Sequence, residues 1–205
     1  MRYRSPYLEQ EHLKGYPWLF EEIKVFDQCK NKILDVGCGT GWFCTNLKKS
    51  YPTVDIFGID TRDIWVENAT FNYVKGSCYK IPFKNQIFDG CACKAVIEHL
   101  HDPLSAIQEI NRVLKVGGIL FISVPDVNDP HFWDDYSHVR PYTKKSLSCL
   151  LEEGGFQVNE IYYLSSLMGA GIILRLFNCQ SHAMLRFLGE LGIFRSSVSA
   201  VAIKR

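Results

Sequence analysis

Residues Ile33 to Gly41 read Ile-Leu-Asp-Val-Gly-Cys-Gly-Thr-Gly, and no other run restricts the fold so strongly. Ile33, Leu34 and Val36 make a short apolar, β-prone stretch that suits a strand buried in a parallel sheet. Gly37, Gly39 and Gly41 then alternate with small residues. Glycine admits positive φ and leaves room for a ligand against the backbone. An amphipathic segment follows from Trp42 to Lys49, with Phe43 and Leu47 on one helical face. Strand, glycine turn, helix is the layout with which an open α/β sheet binds a nucleotide at its carboxyl edge. The same alternation also serves as a plain tight turn, so the flanking residues must decide.

Two acids and one tryptophan do so. Asp35 stands just before the first glycine, at the strand end that faces the crevice. Asp60 ends the next apolar run, Val54-Asp-Ile-Phe-Gly-Ile-Asp60, where a carboxylate is placed to accept hydrogen bonds from ribose hydroxyls. Trp42 occupies the position of the last glycine in the dinucleotide fingerprint Gly-x-Gly-x-x-Gly. A pyrophosphate needs the helix start to come close, which a ligand without phosphate does not.

Asp35-Val-Gly-Cys-Gly-Thr-Gly41 resembles the first motif of class I S-adenosylmethionine-dependent methyltransferases, of the small-molecule type. Further landmarks of that family follow in order: Gly58-Ile-Asp60, Lys75-Gly-Ser-Cys-Tyr-Lys-Ile-Pro-Phe83, Phe88-Asp89, Ile97-Glu-His-Leu-His-Asp-Pro103, and Ile110-Asn-Arg-Val-Leu-Lys-Val-Gly-Gly-Ile-Leu120. The resemblance runs from about residue 30 to 160. It implies an α/β, Rossmann-like three-layer sandwich whose seven-stranded, mainly parallel sheet ends in an antiparallel strand. It implies S-adenosyl-L-methionine as cofactor. Asp35, Gly37, Cys38, Gly39, Asp60 and the adjoining Thr61 would hold its amino-acid and ribose portions. Ser77 and Cys78 would edge the adenine, and Lys94 would lie near the methionine moiety through its backbone. Lys94 also reads as a plain exposed strand-end charge. Ser77 departs from the family, which usually has an Asp there, and a serine accepts a weaker hydrogen bond.

Composition sets limits. Of 205 residues, 47% are hydrophobic and 22% charged, as in an ordinary globular domain. A net charge of +1 supplies no field for a polyanion, so nucleic acid is not an expected partner. Eight cysteines show no Cys-x-x-Cys pair. Cys38, Cys91 and Cys93 are expected inside the sheet, the latter two on one face, packing rather than ligating. No metal is expected, and free thiols in this number suit a reducing cytoplasm. Met1-Arg-Tyr-Arg, followed by polar residues and Pro6, does not read as a secretory signal.

Strands are expected near 32–37, 54–59, 71–75, 87–94, 118–124, 156–164 and 198–203, with helices between the first five and another near 17–27. A helix from Thr143 to Glu153 has Thr143 as N-cap and stops at Gly154-Gly155. Residues 1–205 make one domain, with 1–28 as an aromatic lid or a segment packed on the sheet. Within the late helical segment 165–192, the apolar stretch Leu164 to Phe177 is interrupted by Arg175 and too short to span a membrane; it reads as a buried helix, an acceptor-pocket wall or a homodimer face.

Acceptor recognition falls to the loop 126–142, dense in His, Asp, Arg and aromatics, which follows the fifth strand. Its His138-Val-Arg-Pro-Tyr-Thr143 segment is similar to a pattern common in small-molecule members of the superfamily. His138 is the first candidate for a general base, because imidazole exchanges a proton near neutral pH; His99 is the second. Both also serve as packing or loop-tying residues. His131, Asp134, Asp135 and His138 are spaced too loosely to argue for a metal. The expected activity is methyl transfer to a small-molecule or lipid-like acceptor at oxygen, nitrogen or carbon. A non-catalytic cofactor-binding partner protein is the alternative, and Trp42 disfavours a nicotinamide oxidoreductase. Lys94-Ala-Val-Ile97 stands where base-flipping enzymes carry an Asn/Asp-Pro-Pro-Tyr type tetrapeptide.

Overall fold

The computed structural model describes residues 17–63, 69–165, 182–192 and 195–205. The expectations for residues 1–16 of the lid and 166–181 of the late apolar segment lie outside them. Seven strands form one sheet: β1 Lys32–Val36, β2 Asp55–Asp60, β3 Asn72–Lys75, β4 Phe88–Lys94, β5 Leu114–Pro125, β6 Phe156–Ser165 and β7 Arg195–Lys204. Their order is β3-β2-β1-β4-β5-β7-β6. The first five run parallel, and β7 lies antiparallel to both β5 and β6. The expected architecture is the one found.

Alternation along β1 decides the layers, since successive side chains leave opposite faces. Ile33 joins Leu19, Ile23 and Phe26 of α1 (Pro17–Lys24 and the turn after it) and Phe43, Cys44 and Leu47 of α2 (Trp42–Ser50). Leu34 and Val36 face Ile107 and Ile110 of α3 (Pro103–Val113) and Leu147 and Leu151 of α4 (Lys144–Glu153). A last helix, α5 (His182–Glu190), sets Leu185 against Tyr162 and Leu164 of β6. Cys91 and Cys93 do share one buried face of β4, while Cys38 sits just past β1 rather than within it. The seven cysteines among the described residues are all free.

Two connections differ from expectation. Residues 76–87, between β3 and β4, form turns rather than a helix. Pro82 and a positive φ at Gln86 (56°) oppose helical propagation there. Arg112 of α3 takes up the exposed acceptors instead, donating to the Ile81 and Phe83 carbonyls and to Asn85 Oδ1 at 2.9, 2.9 and 2.8 Å. β5 also begins four residues early, at Leu114, which pairs with Phe88 before the register shifts. Between β2 and β3, residues 64–68 lie outside the described set.

Thr143 caps α4 as expected: its hydroxyl accepts from Ser146 N–H at 3.1 Å, and Ser146 Oγ accepts from Thr143 N–H at 2.9 Å. Thr143→Ala removes one partner of this reciprocal box. The expected loss in a urea melt is about 1 kcal/mol, with an unchanged m-value.

Candidate functional site

The sheet order brings the predicted residues to one edge. From β3 to β4 the carboxyl ends present Ser77, Asp60, the Gly37–Gly41 turn and Lys94 in sequence. The chain leaves β1 toward β2 and β3, then returns to place β4 and β5 on the other side. Such a switch point opens a crevice above the strands. A depression of about 250 Å³ at the opposite edge, lined by Asn31, Asp89 and Lys115, holds an already paired Lys115–Asp89 ion pair. The chemistry therefore belongs to the carboxyl edge.

The glycine turn is tied inward. Gly37 and Cys38 N–H groups both donate to the Ile59 carbonyl (2.8 and 2.9 Å), Gly39 N–H to Asp60 Oδ2 (3.0 Å) and Gly41 N–H to the Cys38 carbonyl (2.8 Å). A phosphate cradle works by aiming such N–H groups at the anion. Here they are spent. Gly37 has φ 72°, and a Cβ on it would lie 2.3 Å from Val96 Cγ2, so only glycine fits. At Gly39 the situation reverses. A Cβ there would meet only Arg62 Nη2, at 3.7 Å, so beyond its φ of 53° the protein's own packing does not exclude a side chain. Among the described residues other than its two chain neighbours, no other atom lies within 4 Å of that position.

Asp60 is 8% exposed and accepts four hydrogen bonds: from Gly39 N–H and from Arg62 N–H, Nε and Nη2. Burial alone would raise its pKa; the bonds and charge of Arg62 and the Gly39 N–H outweigh this and hold it below the usual carboxylate value. The Arg62 side chain that covers this carboxylate is itself exposed. Thr61, next in sequence, is exposed at the crevice rim. Gly76 N–H donates to the Asp60 carbonyl at 2.9 Å, which sets Ser77 beside it. Ser77 Oγ accepts from Tyr79 N–H at 3.2 Å. Cys78 is half-buried against the core, and burial raises its thiol pKa.

Asp35 and Lys94 face the α1–α2 side of the sheet. Asp35 is 3% exposed and accepts from Cys44 Sγ at 3.4 Å. Burial pushes its pKa up to about 7, against the opposing pull of Cys44 and the Lys94 charge. Lys94 is not a plain surface charge. Its ammonium pairs with Glu22 of α1 and stands 4.7 Å from the Phe43 ring centroid. Glu22, 2% exposed, was not among the expected site residues; burial raises its pKa, with Lys94 opposing. A signal for it exists in the sequence: Glu22 falls on the stripe of Leu19, Ile23 and Phe26, an acid in an otherwise apolar helix face.

The acceptor side is built from two short elements. A single 3-10 turn, Ile97–His99, follows directly on Val96, the residue that packs against Gly37. The loop 126–142 closes on itself through Val127 N–H to the Tyr142 carbonyl (3.1 Å), anchors on the buried Phe132, and docks Val139 N–H on the Glu98 carbonyl (2.7 Å). This brings the His99 and His138 rings to 4.7 Å between centroids. His138 Nδ1 donates to the Phe132 carbonyl at 2.6 Å, which leaves Nε2 with its lone pair. Ser137 Oγ donates to Asp135 at 2.6 Å and so accepts from His99 Nδ1 at 3.0 Å, which fixes the same tautomer there. Glu98, the neighbour of His99 in sequence, is fully buried with neither side-chain oxygen hydrogen-bonded. Burial, aided by Asp135, raises its pKa to about 7. The set His131, Asp134, Asp135 and His138 does not gather: His131 Nδ1 meets Asp134 at 2.8 Å on the exposed tip, apart from His138. Trp133 and Tyr136 stand exposed along the loop.

Asp35 gives a pH test. Its folded pKa lies above the unfolded value, so its contribution to stability is complete below about pH 4 and is lost as pH rises through about 7. Asp35→Asn removes that loss. The difference in Tm, variant minus wild type, should grow between pH 4 and 8 by on the order of 5–10 °C. A constant difference would mean Asp35 does not titrate in this range.

A family model described as a methyltransferase domain matches residues 8–161. The chain is 30% identical over 113 residues to a malonyl-[acyl-carrier protein] O-methyltransferase of Legionella pneumophila, covering 51% of this chain and 40% of that protein. It is 36% identical over 98 residues to a demethylmenaquinone methyltransferase of Staphylococcus aureus, covering 43% of this chain and 41% of that protein. The chain thus matches less than half the length of these curated relatives. Among solved structures, a SAM-dependent methyltransferase from Archaeoglobus fulgidus has a TM-score of 0.70 at 20% identity, covering 98% of this chain and 100% of that one. The chain belongs to the methyltransferase-domain family, in its class I, S-adenosylmethionine-dependent group.

Proposed function

We propose that this chain transfers a methyl group from S-adenosyl-L-methionine to a small-molecule or lipid-like acceptor. The observation that carries the reading is the glycine turn, whose N–H groups at Gly37, Cys38, Gly39 and Gly41 are satisfied internally while open space lies above Gly39. Such a turn suits a cationic, phosphate-free cofactor. When bound, that cofactor supplies an electrophilic methyl on a sulfonium. Asp60 takes the ribose hydroxyls once Arg62 withdraws, Ser77 and Cys78 border the adenine, and the amino-acid end lies over Asp35, Gly37 and the Lys94 backbone. The Glu22–Lys94 pair backs this end and keeps the local charge near neutral. The chain's task is to align acceptor and methyl, exclude water and remove the acceptor's proton.

That last task falls to Glu98, His99 and His138, with His138 held in one tautomer by Phe132. Exposed Trp133 and Tyr136 suit the body of an apolar acceptor. The curated relatives are named for acceptors of different chemistry, a malonyl group on a carrier protein and a demethylated menaquinone. A net charge of +1 argues against a nucleic acid. No helix among the described residues is long and apolar enough to cross a membrane, and the free cysteines suit a reducing, cytoplasmic setting.

Calorimetry with S-adenosylhomocysteine tests the cofactor site. Micromolar binding is expected, with none for NAD. Asp60→Ala should weaken it by roughly 1–3 kcal/mol, the scale of hydrogen bonds to a charge, whereas Arg62→Ala should tighten it by freeing the carboxylate. Release of S-adenosylhomocysteine, followed across quinols, phenols and carboxylated acyl thioesters, tests the acceptor class. His138→Ala should lower turnover at unchanged cofactor affinity. Cofactor binding with no turnover on any small molecule would favour the non-catalytic partner reading.

A further inference from the structure

We propose that Glu98, His99 and His138 form a binding site for a first-row divalent cation of the Zn²⁺ or Co²⁺ kind. Each offers a ligand atom, and the three atoms lie within 4.8 Å of one another. Two elements far apart in sequence are needed to assemble them, the 3-10 turn after β4 and the loop after β5.

The decisive member is Glu98. A carboxylate that is 0% exposed with both oxygens unpartnered is among the most costly groups a fold can bury. Its immediate neighbours are two imidazoles and the carboxylate of Asp135. Asp135 Oδ2 lies 4.0 Å from His138 Nε2 and adds negative charge at the mouth. Among the described residues, no Lys or Arg side chain is hydrogen-bonded or ion-paired to the Glu98 carboxylate. A cation supplies the missing counter-charge.

The imidazoles are oriented for this use. Ligating histidines characteristically donate their other ring N–H to a carbonyl, hydroxyl or carboxylate, which fixes the tautomer. His138 does so to the Phe132 carbonyl and His99 to Ser137 Oγ, which is held in turn by Asp135. Both Nε2 lone pairs are thereby left for a metal. Two nitrogens and one carboxylate oxygen select Zn²⁺ or Co²⁺ over Mg²⁺ or Ca²⁺, which prefer all-oxygen shells. Tetrahedral zinc spaces its ligand atoms about 3.3 Å apart, so closure needs side-chain movements of roughly an ångström. Three protein ligands leave a coordination position open. An acceptor hydroxyl or carboxylate bound there would lose its proton more readily and point its oxygen toward the glycine turn. This role rests on the methyl-transfer reading; the binding site itself does not.

The test uses the full chain, stripped with chelator and titrated with Zn²⁺ by calorimetry and with Co²⁺ by visible absorption. One equivalent should bind with micromolar or tighter affinity and raise Tm. Glu98→Gln, His99→Ala and His138→Ala should each weaken binding at least about tenfold. Glu98→Gln also guards against misfolding, since it neutralises a buried unpartnered acid. His131→Ala and Asp134→Ala should change nothing. S-adenosylhomocysteine affinity should persist in every variant, so failure here is separable from failure of the cofactor site. Absence of saturable binding, binding indifferent to Glu98→Gln, loss on His131→Ala, or a thiolate-to-cobalt charge-transfer band would each overturn the proposal. In the first case the histidines act as bases without metal.

Discussion

The paired hydrogen bonds from Gly37 and Cys38 N–H to the Ile59 carbonyl are the constraint on which the site rests. They fold the end of β1 over the end of β2, so the turn cannot move without breaking the sheet edge. Gly39 N–H then meets Asp60, and Gly41 begins α2 in a left-handed conformation. Val96 fills the volume that any side chain at Gly37 would need, which ties the β4 exit to the same turn. The glycine turn and the 3-10 turn after β4 are therefore parts of one packed unit.

Buried charge is the second organising element. Asp35, Glu22 and Lys94 sit together under the crevice, two acids against one ammonium. Desolvation pushes both carboxyls upward, so each holds its proton more readily than a free acid. In the proposed reading the α-ammonium of the cofactor would lie over this group.

Much of the fold was legible because its signals are local and periodic. Strand–turn–helix at Ile33 to Leu47 and the cap at Thr143 depend on residues a few positions apart. The connection 76–87 was not, since its order comes from Arg112, whose reach across the sheet face leaves no mark near Pro82. Lys94 was placed at the right edge, but its partner was invisible, because the Glu22 contact spans 72 residues. Glu22 itself was readable as an acid on an apolar stripe, and that anomaly is a better guide to a site than another matched motif.

The acceptor end makes the same point from the opposite direction. His99 and His138 were singled out by residue type, yet long-range bonds bring them together: the Val139 and Arg140 N–H groups on the Glu98 carbonyl, and His99 on Ser137 Oγ. Those bonds use the backbone of Glu98 and leave its carboxylate pointing inward with nothing to accept from. A loop that merely needed tying down would be served as well by an alanine at that position. The acid is fully buried, with its pKa raised to about 7, and it neighbours two histidines whose Nδ1 atoms are both engaged by the loop. Under the reading proposed above, the main chain of residue 98 serves the structure and its side chain the chemistry.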